Sequence, residues 1–136
     1  MARILVIEDD EPVRSTVKRM LESAGHEVAT AVDGEDGLKQ FQGASADLVL
    51  CDIFMPNKSG VATLRSLREM NGRLPIVAMS DGSPASARMS KTEFVDYLEM
   101  ARVLGATATI DKPFKAADLV AVVAQALAAG GPPVTR

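Results

Sequence analysis

Charged side chains follow three separate apolar runs of the chain. Asp52 comes directly after residues 48–51, the acidic triplet 8–10 comes after residues 4–7, and Lys112 closely follows a third run. An apolar run that ends in a charge is typical of a buried strand that presents a reactive side chain at its carboxyl end. Three such ends, brought to one edge of a sheet, can build a single site.

The types of these residues favour a site for a metal ion and a phosphoryl group. Carboxylates that lie close together repel one another and need a compensating cation. Oxygen ligands favour a hard ion, and Mg²⁺ commonly takes one or two carboxylates, waters and a phosphate oxygen. Lys112 offers a point charge to phosphate oxygens, and Ser80, at the end of another apolar run, offers a hydroxyl. Taken singly, each residue also fits an ordinary turn or helix start, and only their joint spacing favours a site.

Short apolar runs alternate with longer segments of helical periodicity. The predicted strands are residues 4–7, 28–32, 48–51, 76–79 and 108–110. Between them apolar residues recur every three or four positions, which indicates helices with one face for a sheet. Strands that are apolar along nearly their whole length predict a parallel sheet covered on both faces. We therefore expect an α/β protein of five β-α units, doubly wound.

Small residues mark where the predicted helices begin and end. Pro12 suits a first helical turn, and residues 90–93 have the pattern of a capping box that opens a further helix. Glycines stand at 25, 43, 72, 105 and 130. Each lies where a left-handed cap would end a helix, so we expect these glycines to adopt a positive φ.

The composition limits the class of protein. With 136 residues, the chain fits one domain that buries a core without disulfides or structural metal. A formal net charge of −3 and a pI near 5.1 give no electrostatic case for binding nucleic acid or an anionic membrane. Cys51 has no partner for an internal disulfide, and no apolar stretch approaches the roughly 20 residues of a membrane span. We expect a cytoplasmic protein whose partners are proteins.

Four motifs together resemble the receiver domain of two-component response regulators. They are residues 4–14 with the acidic triplet, residues 52–56 followed by Gly60, then Ser80, and residues 112–114. The resemblance covers residues 2 to 129, and it implies a receiver domain over residues 1–129 with a flexible tail at 130–136. It also implies a flavodoxin-like (βα)5 fold, a doubly wound five-stranded parallel sheet with strand order 2-1-3-4-5.

The resemblance assigns roles to the polar residues. Asp52 would be the phosphoacceptor, Lys112 would bind the phosphoryl oxygens ahead of a cis Pro113, and Ser80 would be the hydroxyl that turns toward the phosphoryl group. Asp10, one position beyond the acidic pair, is a secondary candidate. The implied ligands of Mg²⁺ are Asp9, Asp52, the backbone carbonyl of Phe54 and, through water, Glu8.

The resemblance implies a regulatory protein that assists only its own phosphorylation and dephosphorylation. A sensor histidine kinase or a histidine phosphotransfer protein would pass a phosphoryl group to Asp52. Phosphorylation would then favour the conformation that binds a downstream protein target, with a homodimer as one form of assembly. We expect a stand-alone receiver without direct contact to nucleic acid, because no helix-turn-helix extension follows residue 130. The acidic net charge likewise gives no case for contact with a membrane.

Three features depart from the pattern of the family. Thr109 stands where many receivers carry Tyr or Phe, Asp81 stands where a small residue is usual, and the connection from Ser80 to Lys112 is longer than typical by roughly ten residues. Within it, residues 82–89 are turn-rich and predict a mobile surface loop. Asp81 and Thr109 motivate an alternative, a pseudo-receiver that signals without phosphorylation. A further alternative is a small flavin-binding or metal-dependent phosphatase-like α/β enzyme, and the absence of a glycine-rich phosphate loop after the first strand argues against a nucleotide ligand.

Overall fold

The computed structural model describes residues 2–53, 60–80 and 105–129 of the chain. Within these residues there are five strands and four helices. The strands are β1 (Arg3–Ile7), β2 (Glu27–Ala31), β3 (Leu48–Asp52), β4 (Ile76–Ser80) and β5 (Ala108–Asp111). The helices are α1 (Glu11–Ser23), α2 (Gly34–Gly43), α3 (Gly60–Met70) and α4 (Ala116–Ala129). The helix predicted from residue 90, the loop at 82–89 and the tail at 130–136 lie outside the described residues.

The strands form one parallel sheet in the order β2-β1-β3-β4-β5. This order confirms the predicted doubly wound, flavodoxin-like architecture. The winding reverses between β1 and β3, which are neighbours at the centre of the sheet. In sheets of this kind, the ligand site lies beyond the carboxyl ends of the strands at this reversal.

Each face of the sheet is covered by a hydrophobic core of its own. One core packs α1 and α4 against the sheet, and the other packs α2 and α3 against the opposite face. The central strands β1, β3 and β4 are therefore buried on both sides, which explains why they are apolar without alternation. None of the helices in the described part of the chain combines the length and apolar content that crossing a bilayer requires.

The pleat of the strands decides which side chains reach the same face. Successive side chains of a strand point to opposite faces of the sheet. In β1, Ile4 and Val6 enter the core beneath α1 and α4, while Leu5 and Ile7 enter the core beneath α2 and α3. Leu50, Met79 and Ile110 share the face toward α1 and α4. The next residues on this face, two positions after Val6, Leu50 and Ile110, are Glu8, Asp52 and Lys112.

The glycine prediction is correct at two positions and wrong at two others. Gly25 and Gly105 have φ values of 93° and 105°, as expected of left-handed caps. Gly43 and Gly72 have no positive φ. Gly43 is still part of α2, and the helix ends instead at an extended Ala44, whose N–H donates to the carbonyl of Gln40.

Helix α3 starts directly against the carboxyl end of β3. A methyl group on Gly60 would collide with Cα of Ile53 and with the carbonyl oxygen of Asp52. Both are backbone atoms, so they can give way only if the strand itself moves. The N–H of Gly60 also donates to the carbonyl of Ile53, with an N···O distance of 3.2 Å. The lack of a side chain at this position therefore allows α3 to approach Asp52.

Replacing Gly60 by Ala should lower the free energy of unfolding by about 2 kcal/mol or more, because the added methyl group overpacks the end of β3. Chemical denaturation followed by circular dichroism measures the loss. Gly43→Ala is the matched control, since a methyl group there meets nothing within 4 Å. We expect this control to be neutral, or to stabilise by up to about 1 kcal/mol. Equal losses in both variants would contradict a specific contact with β3.

Candidate metal and phosphoryl site

Backbone pairing holds the functional residues at the carboxyl edge of the sheet. Glu8 follows β1, and its N–H donates to the carbonyl of Ala31 over 3.1 Å. Lys112 follows β5, and its N–H donates to the carbonyl of Ser80 over 2.7 Å. Asp52 is itself the last residue of β3. The sheet ladder thus extends to the residues that carry the charges and limits their movement.

Lys112 bridges two buried carboxylates at this edge. Its Nζ lies 2.7 Å from Oε1 of Glu8 and 3.3 Å from Oδ2 of Asp52. Glu8 is 0% exposed and Asp52 is 2% exposed, while the side chain of Lys112 is 16% exposed. Buried carboxylates need a compensating charge, and here one ammonium group serves both.

The surroundings shift the pKa values of the charged groups in a consistent direction. Burial raises the pKa of Glu8, and its hydrogen bond with Asp52 and the charge of Asp52 raise it further, against a smaller opposing effect of Lys112. Burial likewise raises the pKa of Asp9, and the neighbouring Glu8 adds to the increase. Burial alone would lower the pKa of Lys112, but Asp52 and Glu8 together outweigh it and raise the pKa. The site thus keeps its lysine charged and favours additional positive charge.

Three carboxylates are arranged as a cation site would require. Among the described residues, Glu8, Asp9 and Asp52 each place a carboxylate oxygen within 4.8 Å of the others. When these acids are ionised, the ammonium of Lys112 leaves two negative charges uncompensated, which matches a divalent ion. All the donors are oxygens, the type that Mg²⁺ prefers. Asp9 is exposed and leaves the cluster open to solvent on one side.

Asp10, the secondary candidate from the sequence, does not belong to this cluster. It is exposed and precedes α1, where its backbone N–H donates to Oε2 of Glu8 over 3.3 Å. Sequence reasoning gave no role to Arg14, yet its Nη1 donates to the carbonyls of Glu8 and Asp9 at 2.9 and 3.3 Å. Arg14 therefore ties α1 to the acidic turn. The sequence feature that could have pointed to Arg14 is a cation one turn into the helix that follows an acidic cluster.

Ser80 makes a contact in this structure that the sequence did not predict. It ends β4 and is fully buried, and its Oγ donates to Oδ1 of Asp111 over 2.6 Å. Asp111 is the last residue of β5 and is exposed. Asp111 was not predicted as a functional residue, because nothing local in the sequence distinguishes it from an ordinary charge at a strand end.

The remaining sequence predictions have mixed outcomes. The bond between Lys112 and Pro113 is cis, as expected. Cys51 is fully buried in the core beneath α2 and α3, and this burial raises the pKa of its thiol. Thr109 is exposed on β5. Phe54 and Asp81 lie outside the described residues, so their predicted roles stay predictions.

Comparisons with known proteins agree with this geometry. The family model described as "Response regulator receiver domain" matches residues 4–124 of the chain. The transcriptional regulatory protein PrrA of Mycobacterium tuberculosis is 38% identical over 121 residues, which are 89% of this chain and 48% of that protein. The chain thus spans about half the length of the curated relatives it matches.

Solved structures extend the similarity to the whole fold. The receiver domain of NtrX from Brucella abortus superimposes with a TM-score of 0.81 at 30% identity, covering 92% of this chain and 98% of that one. The chemotaxis protein CheY4 of Vibrio cholerae superimposes with a TM-score of 0.79 at 26% identity, covering 93% and 98%. Both align over nearly their full lengths with the fold described above.

Replacing Lys112 by Met should lower the free energy of unfolding by about 3 kcal/mol in the presence of a chelator, because two buried carboxylates lose their counter-charge. Chemical denaturation at neutral pH measures the loss. Lys18→Met is the matched control, since Lys18 forms an ion pair with Glu22 of the same 2.7 Å length but with side chains 42% and 43% exposed. We expect that control to cost less than about 0.5 kcal/mol. Comparable losses in both variants would show that burial does not make the ion pairs of Lys112 more stabilising than an exposed pair.

Proposed function

The chain belongs to the response regulator receiver domain family, and on that premise we propose that Asp52 is the residue that accepts the phosphoryl group. The domain has a phosphoacceptor signalling role. The observation that best supports Asp52 is its position at the carboxyl end of the central strand β3. It is buried there within an acidic cluster, with the ammonium of Lys112 3.3 Å from its Oδ2.

The proposed reaction is a displacement at phosphorus with the attacking and leaving atoms roughly in line. A carboxylate oxygen of Asp52 forms a bond to phosphorus while the bond from phosphorus to the donor's histidine nitrogen breaks. The electron pair of the broken bond leaves with the imidazole. Asp52 attacks as the carboxylate, and the ammonium of Lys112 lies 3.3 Å from its Oδ2.

Lys112 supplies positive charge before and after the transfer. In the present structure its Nζ contacts Glu8 and Asp52. Phosphorylation adds oxygens and negative charge at Asp52, so we propose that Lys112 moves its contact from the carboxylate to a phosphoryl oxygen. A lysine suits this exchange, because its ammonium is a compact charge with rotatable donors on a flexible stem.

The acidic cluster would hold the metal ion that this chemistry needs. Asp9 and Asp52 are proposed as direct ligands and Glu8 as a ligand through water. The backbone carbonyl of Phe54, outside the described residues, completes the set that the family implies. Bound Mg²⁺ supplies positive charge to phosphoryl oxygens during transfer. The solvent-exposed side of the cluster, at Asp9, leaves room for waters and a phosphoryl oxygen.

An apolar groove beside the site is the surface that we propose for the phosphodonor. A cavity of about 560 Å³ lies between α1 and the residues after β5, and its lining includes Val13, Met20, Lys112 and Phe114. Receiver domains interact with histidine kinases and with downstream effectors. A kinase or histidine phosphotransfer protein seated here would bring its histidine to Lys112 and Asp52. The downstream protein target would read the phosphorylated form.

Replacing Asp52 by Asn should abolish labelling by a small-molecule phosphodonor in the presence of Mg²⁺, because the amide is not a comparable nucleophile. Intact mass measurement detects the phosphoryl group, and circular dichroism checks that the fold is preserved. Labelling that persists on another residue would contradict the assignment of Asp52. An unlabelled wild-type protein would favour the alternative of a pseudo-receiver.

The neighbouring acids Asp9 and Asp10 provide a matched test of the metal site. Asp9→Asn should weaken the apparent affinity for Mg²⁺ by at least about tenfold, which equals about 1.4 kcal/mol from one lost charge interaction. Asp10→Asn should leave the affinity nearly unchanged, because Asp10 lies outside the cluster. The Mg²⁺ dependence of the labelling rate measures both, and chelation should stop labelling in every variant. A shift for Asp10→Asn as large as that for Asp9→Asn would contradict the proposed ligand set.

A further inference from the structure

Ser80 and Asp111 are held opposite each other by the pairing of β4 with β5. They are register partners in the parallel ladder, and the N–H of Lys112 donates to the carbonyl of Ser80 over 2.7 Å. Their side chains meet at 2.6 Å between Oγ and Oδ1. The contact therefore rests on the backbone of two strands and not on the conformation of a loop.

The hydroxyl of Ser80 can serve only one acceptor at a time. A serine hydroxyl carries a single donor proton, whereas an ionised carboxylate and the oxygens of a phosphoryl group only accept. In the present structure that proton goes to Asp111. A phosphoryl group on Asp52 would need the same proton to form a hydrogen bond with Ser80. Asp111 and the phosphoryl group are thus competitors for Ser80.

The pleat of the sheet separates the two competitors. Met79 and Ile110, the residues before Ser80 and Asp111, point into the core beneath α1 and α4. Ser80 and Asp111 therefore belong to the opposite pleat. Asp52 continues the pleat of Leu50, which faces the core beneath α1 and α4. The contact with Asp111 consequently directs the Ser80 hydroxyl away from the carboxylate that we assign as phosphoacceptor.

We propose that Asp111 is a positioning residue that holds the Ser80 hydroxyl away from the phosphoryl site in the unphosphorylated protein. This proposal rests on the function proposed for Asp52. On phosphorylation, the hydrogen bond from Ser80 to Asp111 is exchanged for one from Ser80 to a phosphoryl oxygen. Asp111 is exposed, so the exchange also changes the hydrogen bonding of a charged group at the protein surface. Phosphorylation would thereby change the surface of β5 at Asp111, even though Thr109 provides no aromatic side chain on this strand.

Binding of beryllium fluoride in the presence of Mg²⁺ tests this competition, because this compound mimics a phosphoryl group on a carboxylate. Calorimetry on wild type, Asp111→Ala and Asp111→Asn gives the three dissociation constants. Asp111→Ala should bind the mimic more tightly by roughly fivefold to tenfold, the worth of one competing hydrogen bond. Asp111→Asn also lacks the charge but keeps an acceptor, so its affinity should lie between those of wild type and Asp111→Ala. Because Asp111 is exposed, neither substitution removes core packing.

The same comparison in a Ser80→Ala background separates the hydrogen bond from a simple charge effect. Without the hydroxyl there is nothing for Asp111 to hold, so Asp111→Ala should no longer change the affinity for beryllium fluoride. A gain of the same size in both backgrounds would overturn the proposal, since it would reflect only the removal of a negative charge. If wild type binds the mimic and Asp111→Ala binds it with the same affinity, the result would overturn the role of Asp111 alone. Wild type that fails to bind the mimic would overturn the assignment of Asp52 and this proposal with it.

Discussion

Two buried carboxylates have to share one ammonium group, and the order of the strands sets the distance that this group has to span. Glu8 and Asp52 are almost inaccessible to solvent, and an uncompensated buried charge costs several kcal/mol. Their strands, β1 and β3, are neighbours, whereas β5 is separated from β3 by β4. Two strand spacings amount to roughly 10 Å, so the counter-charge from β5 needs a long side chain. A lysine that follows β5 meets this need, and a shorter cation would not reach across β4.

The hydrophobic cores keep the charged edge aligned. All five strands are parallel and contribute apolar side chains to the cores, so a shift of any strand along its axis would move apolar side chains out of their core. The same shift would carry Glu8, Asp52 or Lys112 out of contact. Local contacts add to the alignment, since Gly60 lets α3 pack against Asp52 and Arg14 ties α1 to the acidic turn. Core packing and the polar site therefore depend on the same register.

Much of the fold and of the charged cluster could be predicted from the sequence, because both follow from local patterns. Apolar runs ending in charge give parallel strands whose carboxyl ends meet, which predicts that Glu8, Asp52 and Lys112 come together. The partner of Ser80 could not be predicted in this way. Its contact with Asp111 depends on the register of β4 against β5, and many residues separate these strands in the sequence. A sequence pattern also contains no distances. It therefore cannot show which acceptor lies within hydrogen-bond distance of the Ser80 hydroxyl.

The resting site already occupies the donors that a phosphoryl group would use. Lys112 contacts Glu8 and Asp52, and Ser80 donates to Asp111. Under the proposed function, phosphorylation of Asp52 would therefore exchange existing acceptors and not simply add new contacts. The free energy available for switching is the difference between the old and new hydrogen bonds, which is smaller than the energy of the new bonds alone. A phosphoryl group can shift the equilibrium between two conformations only by its differential affinity for them. Carboxylates that compete for the same donors keep this difference in affinity small. A small difference suits a signal that has to be reversed.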